Sequence, residues 1–185
     1  MGYKIIVAHP GRQHSFRLAS ALKKNGMLLK YITTVYDREN SLLMKIVKFF
    51  LSGDNLSRAK GRKNPDLKDT DVKQFGQIRG LVEIFLAHYD KKKKFYNWWQ
   101  EKTADYFGRK VAYYAIRNKA DAVIMYDTNA LTCFDILKNN APEIFRIMDI
   151  SAANRIYMKK VYESDMKKNE KFAEKLKVER FFLWD

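Results

Sequence analysis

Between the apolar run Tyr3 to Ala8 and the amphipathic run Ser15 to Lys24 lies His9-Pro10-Gly11-Arg12-Gln13-His14, a loop whose residue types suit anion capture. A loop that leaves the carboxyl end of a buried strand and enters a helix points free N–H groups and the positive helix end at one spot. Gly11 permits close approach to the backbone, and Arg12 and His14 add side-chain donors. Neither G-x-G-x-x-G nor G-x-x-x-x-G-K-[ST] is present, so neither a dinucleotide site nor a P-loop is supported. The plainer alternative is a connection in which His9 and His14 bond only neighbouring backbone.

Two later apolar runs also end at polar residues, one at Asp127-Thr128-Asn129 and one at Asp149-Ile150-Ser151. Asp127 and Asp149 have the chemistry to bind sugar hydroxyls or to move protons, and both equally suit helix capping. The triplet Asp69-Thr70-Asp71 resembles a divalent-cation D-x-D, but that chemistry needs carboxylates at the end of a buried strand. Asn64-Pro65-Asp66-Leu67-Lys68 precedes it instead, so capping of a following helix is the expectation, and no metal site is implied.

A third feature is Lys91-Lys92-Lys93-Lys94-Phe95-Tyr96-Asn97-Trp98-Trp99, four lysines fused to an aromatic cluster. Lysines near an anionic surface and Trp or Tyr at headgroup depth make a membrane foot of Lys91 to Lys94, Phe95, Tyr96, Trp98 and Trp99. Phe49, Phe50 and the basic residues at 58 to 63 are candidates for the same face. The alternative is a solvated turn before a helix that buries its rings.

The elements that must position these groups follow from periodicity. Tyr3 to Ala8, Leu29 to Val35, Ala122 to Tyr126 and Phe145 to Ile150 are strand-like. Ser15 to Lys24, with Ser15 as cap and Asn25-Gly26 as stop, is helical, as are 41 to 51, a run from Thr70 or Asp71 to Leu86, Glu101 to Asn118, Ala130 to Asn139, and about Ala152 to Lys177. Residues 52 to 68 form a turn-rich basic loop. Alternating strands and helices predict an α/β fold, with a mostly parallel sheet flanked by helices and its polar strand ends converging on one crevice.

Composition bounds the function. The 185 residues suit one domain, and 46% apolar with 14% aromatic residues rules out disorder. The single Cys133 excludes an internal disulfide and a multi-cysteine zinc site, and favours a reducing compartment. No run reaches the ~18 apolar residues of a membrane span and no leader is evident, so a cytoplasmic protein, peripheral on the inner face of the membrane, is expected. A net charge of +15 calls for an acidic partner: nucleic acid, anionic lipid or phosphorylated substrate.

Three segments, KIIVAHPGRQHSFRLASALKKNG, ADAVIMYDTNALTCFDILK and IFRIMDISAANRIYMKKVYESDM, make the chain resemble the N-terminal half of family 4-type glycosyltransferases of the GT-B fold. The resemblance implies a single Rossmann-like domain over residues 1 to 185, one half of a GT-B arrangement, that holds the acceptor. It makes Gly11 and Arg12 contacts for donor phosphates, His14 a contact for the sugar, and Asp127, Thr128, Asp149 and Ser151 contacts for a glycan or lipid-linked acceptor. It implies no cofactor beyond a nucleotide sugar as donor substrate. The family's donor-gripping half, with its E-x7-E pair, is not in these residues, so a separate donor-binding chain is an expected partner and the chain alone is expected to be inactive. A non-catalytic subunit and a basic nucleic-acid-binding domain are the alternatives.

Overall fold

The computed structural model describes residues 2–11, 14–38, 63–150 and 155–169. In chain order the elements are β1 (Ile5–Ala8), α1 (Ser15–Lys24), β2 (Leu28–Thr33), a 3-10 turn (Asp69–Asp71), β3 (Val72–Gln74), α2 (Gln77–Tyr89), α3 (Lys94–Arg117), β4 (Ala122–Tyr126), α4 (Leu131–Asn140), β5 (Phe145–Asp149) and α5 (Arg155–Lys168). The strands form one sheet in the order β3-β2-β1-β4-β5, every pair parallel. This is an α/β, Rossmann-like architecture, as the alternation of strand and helix patterns predicts.

Strand pleating sorts side chains onto two faces. Ile6 and Ala8 of β1, with Val123 and Met125 of β4, pack against Phe107, Val111 and Ala115 of α3 and Cys133 and Leu137 of α4. Ile5 and Val7, with Ala122 and Ile124, share the opposite face with Phe16 and Ala19 of α1, Tyr36 and Leu67. Gly108 permits the close approach of α3 to α4: a Cβ there would lie 3.1 Å from the Cys133 backbone nitrogen.

Four expectations change. The helix expected to begin at Thr70 or Asp71 is a 3-10 turn and then strand β3, with α2 starting only at Gln77. Long-range pairing overrides the local pattern: Tyr31 pairs with Val72, Lys30 of β2 donates to the Thr70 carbonyl, and Lys23 of α1 and the Lys68 N–H both donate to the Asp71 carboxylate, which holds the turn beside α1 and β2. Gly76, at φ +71°, then reverses the chain into α2. Ser15 does not cap α1. It is the first helical residue, buried, with its hydroxyl 3.0 Å from the Tyr31 hydroxyl, and His14 occupies the cap position.

The helix expected from Glu101 begins at Lys94, so the lysine run is a turn leading straight into a helix rather than a separate segment. The Asp90 carboxylate accepts the Tyr96 N–H at 2.9 Å and stabilises that start. Lastly, the end of the expected basic loop is packed. Leu67 is buried, the Tyr36 hydroxyl donates to the Asn64 and Leu67 carbonyls, and the Asn64 amide donates to Ser20 Oγ and the Phe16 carbonyl. The helix expected at 41 to 51, with Phe49 and Phe50, the loop up to residue 62, and the continuation of the last helix to Lys177 lie outside the described residues.

Candidate functional site

Strand order reverses between β1 and β4, and the loops leaving their carboxyl ends diverge there, the place where parallel α/β sheets hold ligands. A cleft of about 320 Å³ opens at that point. Its floor comes from the strand ends: His9, Pro10 and Gly11 after β1, Thr34 after β2, and Thr128 and Asn129 after β4. Its wall is the α2–α3 hairpin, through Gly80, Glu83, Ile84 and Ala87 on one helix and Tyr96, Gln100 and Ala104 on the other.

The floor is tied down by backbone. The His9 N–H donates to the Ile32 carbonyl, and the Thr34 hydroxyl donates to the Pro10 carbonyl at 2.5 Å, so the β1 and β2 loops are tied to each other. The wall is held close to them by Gly80, where a Cβ would sit 2.3 Å from Thr34 Oγ1 and 2.8 Å from Val35 Cγ2. Across the wall, Gln100 Nε2 donates to the Tyr96 hydroxyl at 3.1 Å and to Glu83 Oε1 at 3.4 Å.

Two floor residues carry unspent hydrogen-bonding capacity. His9 is 6% exposed, and its Nδ1 accepts the Gly11 N–H at 2.9 Å, which leaves the ring proton on Nε2. Burial lowers its pKa from the ordinary 6.5, only partly opposed by the Asp127 carboxylate, so the ring is neutral. It stands edge-on to Tyr126, with ring centres 5.0 Å apart. Asn129, also 6% exposed, uses its amide nitrogen on Thr128 Oγ1 at 3.2 Å. His9 Nε2 and Asn129 Oδ1 have no partner among the described residues. One is a donor and the other an acceptor, and leaving both unpaired costs roughly 1–3 kcal/mol each.

The cleft gathers some of the sequence-derived candidates and omits others. Gly11 and Thr128 line it. His14 is exposed and takes no part in the lining; its carbonyl accepts the Arg17 N–H at the start of α1. Asp127 is exposed on the turn after β4, where the Asn129 N–H folds back to the Tyr126 carbonyl and presents Thr128 and Asn129 instead. Asp149, half-buried on the neighbouring β5, faces β4 through Tyr126, whose hydroxyl is driven to a higher pKa by burial and by the Asp149 charge. Arg12 and Ser151 lie outside the described residues. Among the described residues no group of three His, Cys, Asp or Glu is placed to hold a metal ion, and Asp69 and Asp71 sit at the amino end of β3, away from the cleft floor.

Tyr96 belongs to the cleft wall rather than to an outward membrane face. Trp99 also turns inward, its Nε1 donating to the Arg79 carbonyl at 2.9 Å while the Arg79 guanidinium lies over its ring. Of the expected foot, Lys91, Lys92, Lys94, Phe95 and Trp98 remain exposed, and Lys93 is partly covered. The cleft residues that sequence patterns missed are Thr34, Glu83 and Gln100, while Asn129 was read only as part of the polar end of its strand and not as a contact. Thr34 and Asn129 were legible as polar residues one to three positions beyond a strand, the same signal that marks His9; the wall residues carry no local signal at all.

Set against known proteins, the chain matches no family model, no curated protein and no solved structure.

Proposed function

We propose that the chain is a sugar-binding, acceptor-side half of a glycosyltransferase, holding the hydroxyl groups of a glycan or lipid-linked saccharide in the cleft between β1 and β4. The observation that carries this reading is a cleft at the point where strand order reverses, lined almost wholly by neutral residues, with two unpaired neutral groups, the buried Nε2–H of His9 and the buried Oδ1 of Asn129, on its floor residues. A hydroxyl is both donor and acceptor, so it suits a lining of neutral donors and acceptors, whereas a phosphate complements only donors. Glu83 is the one charged residue among those lining the cleft in the described structure, a lining that suits a neutral polyhydroxylated ligand better than an anion. No E-x7-E pair occurs in the sequence, so sugar transfer requires a donor-gripping half from elsewhere, with a nucleotide sugar as its donor substrate.

Saturation-transfer NMR with methyl glycosides, a lipid-linked saccharide analogue, UDP and UDP-glucose tests the assignment. Transfer to the sugar protons, lost in Asn129→Ala and reduced in His9→Gln while the fold is retained, is the expected result. No transfer to any saccharide, or transfer that survives both substitutions, refutes it.

A further inference from the structure

The turn between α2 and α3 collects features that the cleft does not use. Phe85 and Tyr89, on the last two turns of α2, are 59% and 64% exposed, and their rings lie 4.4 Å apart. Across the turn, Phe95 and Trp98 on the first turns of α3 are 68% and 56% exposed. Between them run Lys91, Lys92, Lys93 and Lys94 against a single aspartate, Asp90, whose carboxylate is engaged by the Tyr96 N–H. The inward half of the same hairpin is fully employed: Tyr96 in the cleft wall, Trp99 on Arg79. Four large apolar side chains in water, ringed by cations at one tip, are costly unless that tip has a counterpart.

We propose that the tip of the α2–α3 hairpin is a docking foot for an anionic lipid surface, with Phe85, Tyr89, Phe95 and Trp98 entering the headgroup layer and Lys91, Lys92 and Lys94 meeting its phosphates. Charge complementarity selects the anionic surface, and the ring chemistry selects lipid. Amphipathic Trp and Tyr settle at headgroup depth, and Phe adds apolar area that prefers the acyl boundary. Nucleic acid fits this tip less well, because its lysines stand on a short helix-hairpin turn among exposed apolar rings and not along an extended track for a phosphate backbone. The foot stands whatever the cleft binds, and the two are neighbours. Ala87 lines the cleft two residues, about 3 Å along the helix axis, before Tyr89, and Tyr96 lines it one residue after Phe95. Docking therefore holds the cleft at the membrane plane, where a saccharide carried on lipid is presented.

Flotation of the full chain with phosphatidylcholine vesicles containing about 30% phosphatidylglycerol provides the test, with pure phosphatidylcholine vesicles and a single-stranded RNA oligonucleotide as the other arms. The chain is expected to float with the anionic vesicles only. Lys91→Glu/Lys92→Glu/Lys94→Glu should weaken partition by about 100-fold. Phe95→Ser/Trp98→Ser, which leaves the charge untouched, should weaken it by about tenfold or more. Both variants alter exposed side chains, so circular dichroism should show an unchanged fold. A control, Arg117→Glu/Lys138→Glu, reverses two charges at the far ends of α3 and α4 and should leave flotation nearly as it was. Equal flotation of either tip variant and the wild type, or a control as impaired as the lysine variant, overturns the proposal in favour of diffuse attraction by the whole basic chain. Tip-dependent RNA binding without flotation overturns it in favour of a nucleic-acid surface.

Discussion

The backbone N–H of Gly11 donates to Nδ1 of His9 at 2.9 Å, and this one contact decides the chemistry of the cleft floor. It selects the tautomer with the proton on Nε2, and burial keeps the ring neutral, so His9 is a hydrogen-bond donor without charge. Gly11 therefore sets the state of His9, and a Cβ at its position would make only ordinary contact with the ring, 3.4 Å from His9 Cε1.

The depressed pKa of His9 predicts a pH dependence of stability. In the unfolded chain the imidazole titrates near 6.5, while in the fold it stays neutral to lower pH. Below that value the unfolded state binds more protons than the native state, so stability falls as pH drops through 6.5 and levels off once the native ring also protonates. Urea unfolding at about pH 7.5 and pH 5 should show a steeper acid loss for the wild type than for His9→Gln, which cannot titrate. Parallel slopes in the two proteins would show that His9 is not the buried neutral group described.

Gly80→Ala tests how the wall meets the floor. The new methyl must displace the Thr34 hydroxyl, which is bonded to the Pro10 carbonyl, and it also meets Thr34 Cβ at 2.7 Å and Val35 Cγ2 at 2.8 Å. Chemical denaturation should report a loss of about 1–3 kcal/mol, with any saccharide binding weakened as well. An unchanged midpoint would mean that the hairpin packs more loosely against Thr34 and Val35.

Tyr36→Phe probes the anchoring of residues 64–67. The Tyr36 side chain is fully buried and its hydroxyl serves the Asn64 and Leu67 carbonyls and the Asn64 N–H. Removing that oxygen leaves buried polar backbone unpaired, at an expected cost of roughly 1–3 kcal/mol. Thermal unfolding and limited proteolysis should agree, with new cleavage close to residue 64.

Cys133 fills the α3–α4 interface, fully buried, and burial pushes its thiol up to about 12. The thiolate is the reactive form, so the native protein should resist iodoacetamide and Ellman's reagent at neutral pH. Labelling should appear in denaturant along the same curve as loss of circular dichroism. Fast labelling of the native chain would place Cys133 nearer solvent than this packing allows.

How much of this was legible in the chain divides along a physical line. Strand β1, its loop and α1 were readable because the apolar run Tyr3 to Ala8 and the helical spacing of Phe16, Ala19 and Leu22 are local periodicities, and local periodicity states which face of an element is apolar. The parallel α/β class followed from alternation, and convergence of the strand ends followed from the class. Strand β3 was not readable. Three residues are too few to show a period of two, and what makes Val72–Gln74 a strand is its pairing with Tyr31, Ile32 and Thr33, some forty positions earlier. The α2–α3 wall was hidden for a related reason. A helix pattern marks Tyr96, Trp98 and Trp99 as aromatic, but only the packing of α3 on α2 turns Tyr96 and Trp99 inward and leaves Trp98 in solvent. In the same way the residue types His9 and Asn129 stand in the sequence, while their meeting at one cleft, each with a buried polar atom unpaired, exists only because β1 and β4 are neighbours in the sheet, an adjacency created by bringing together segments more than a hundred residues apart.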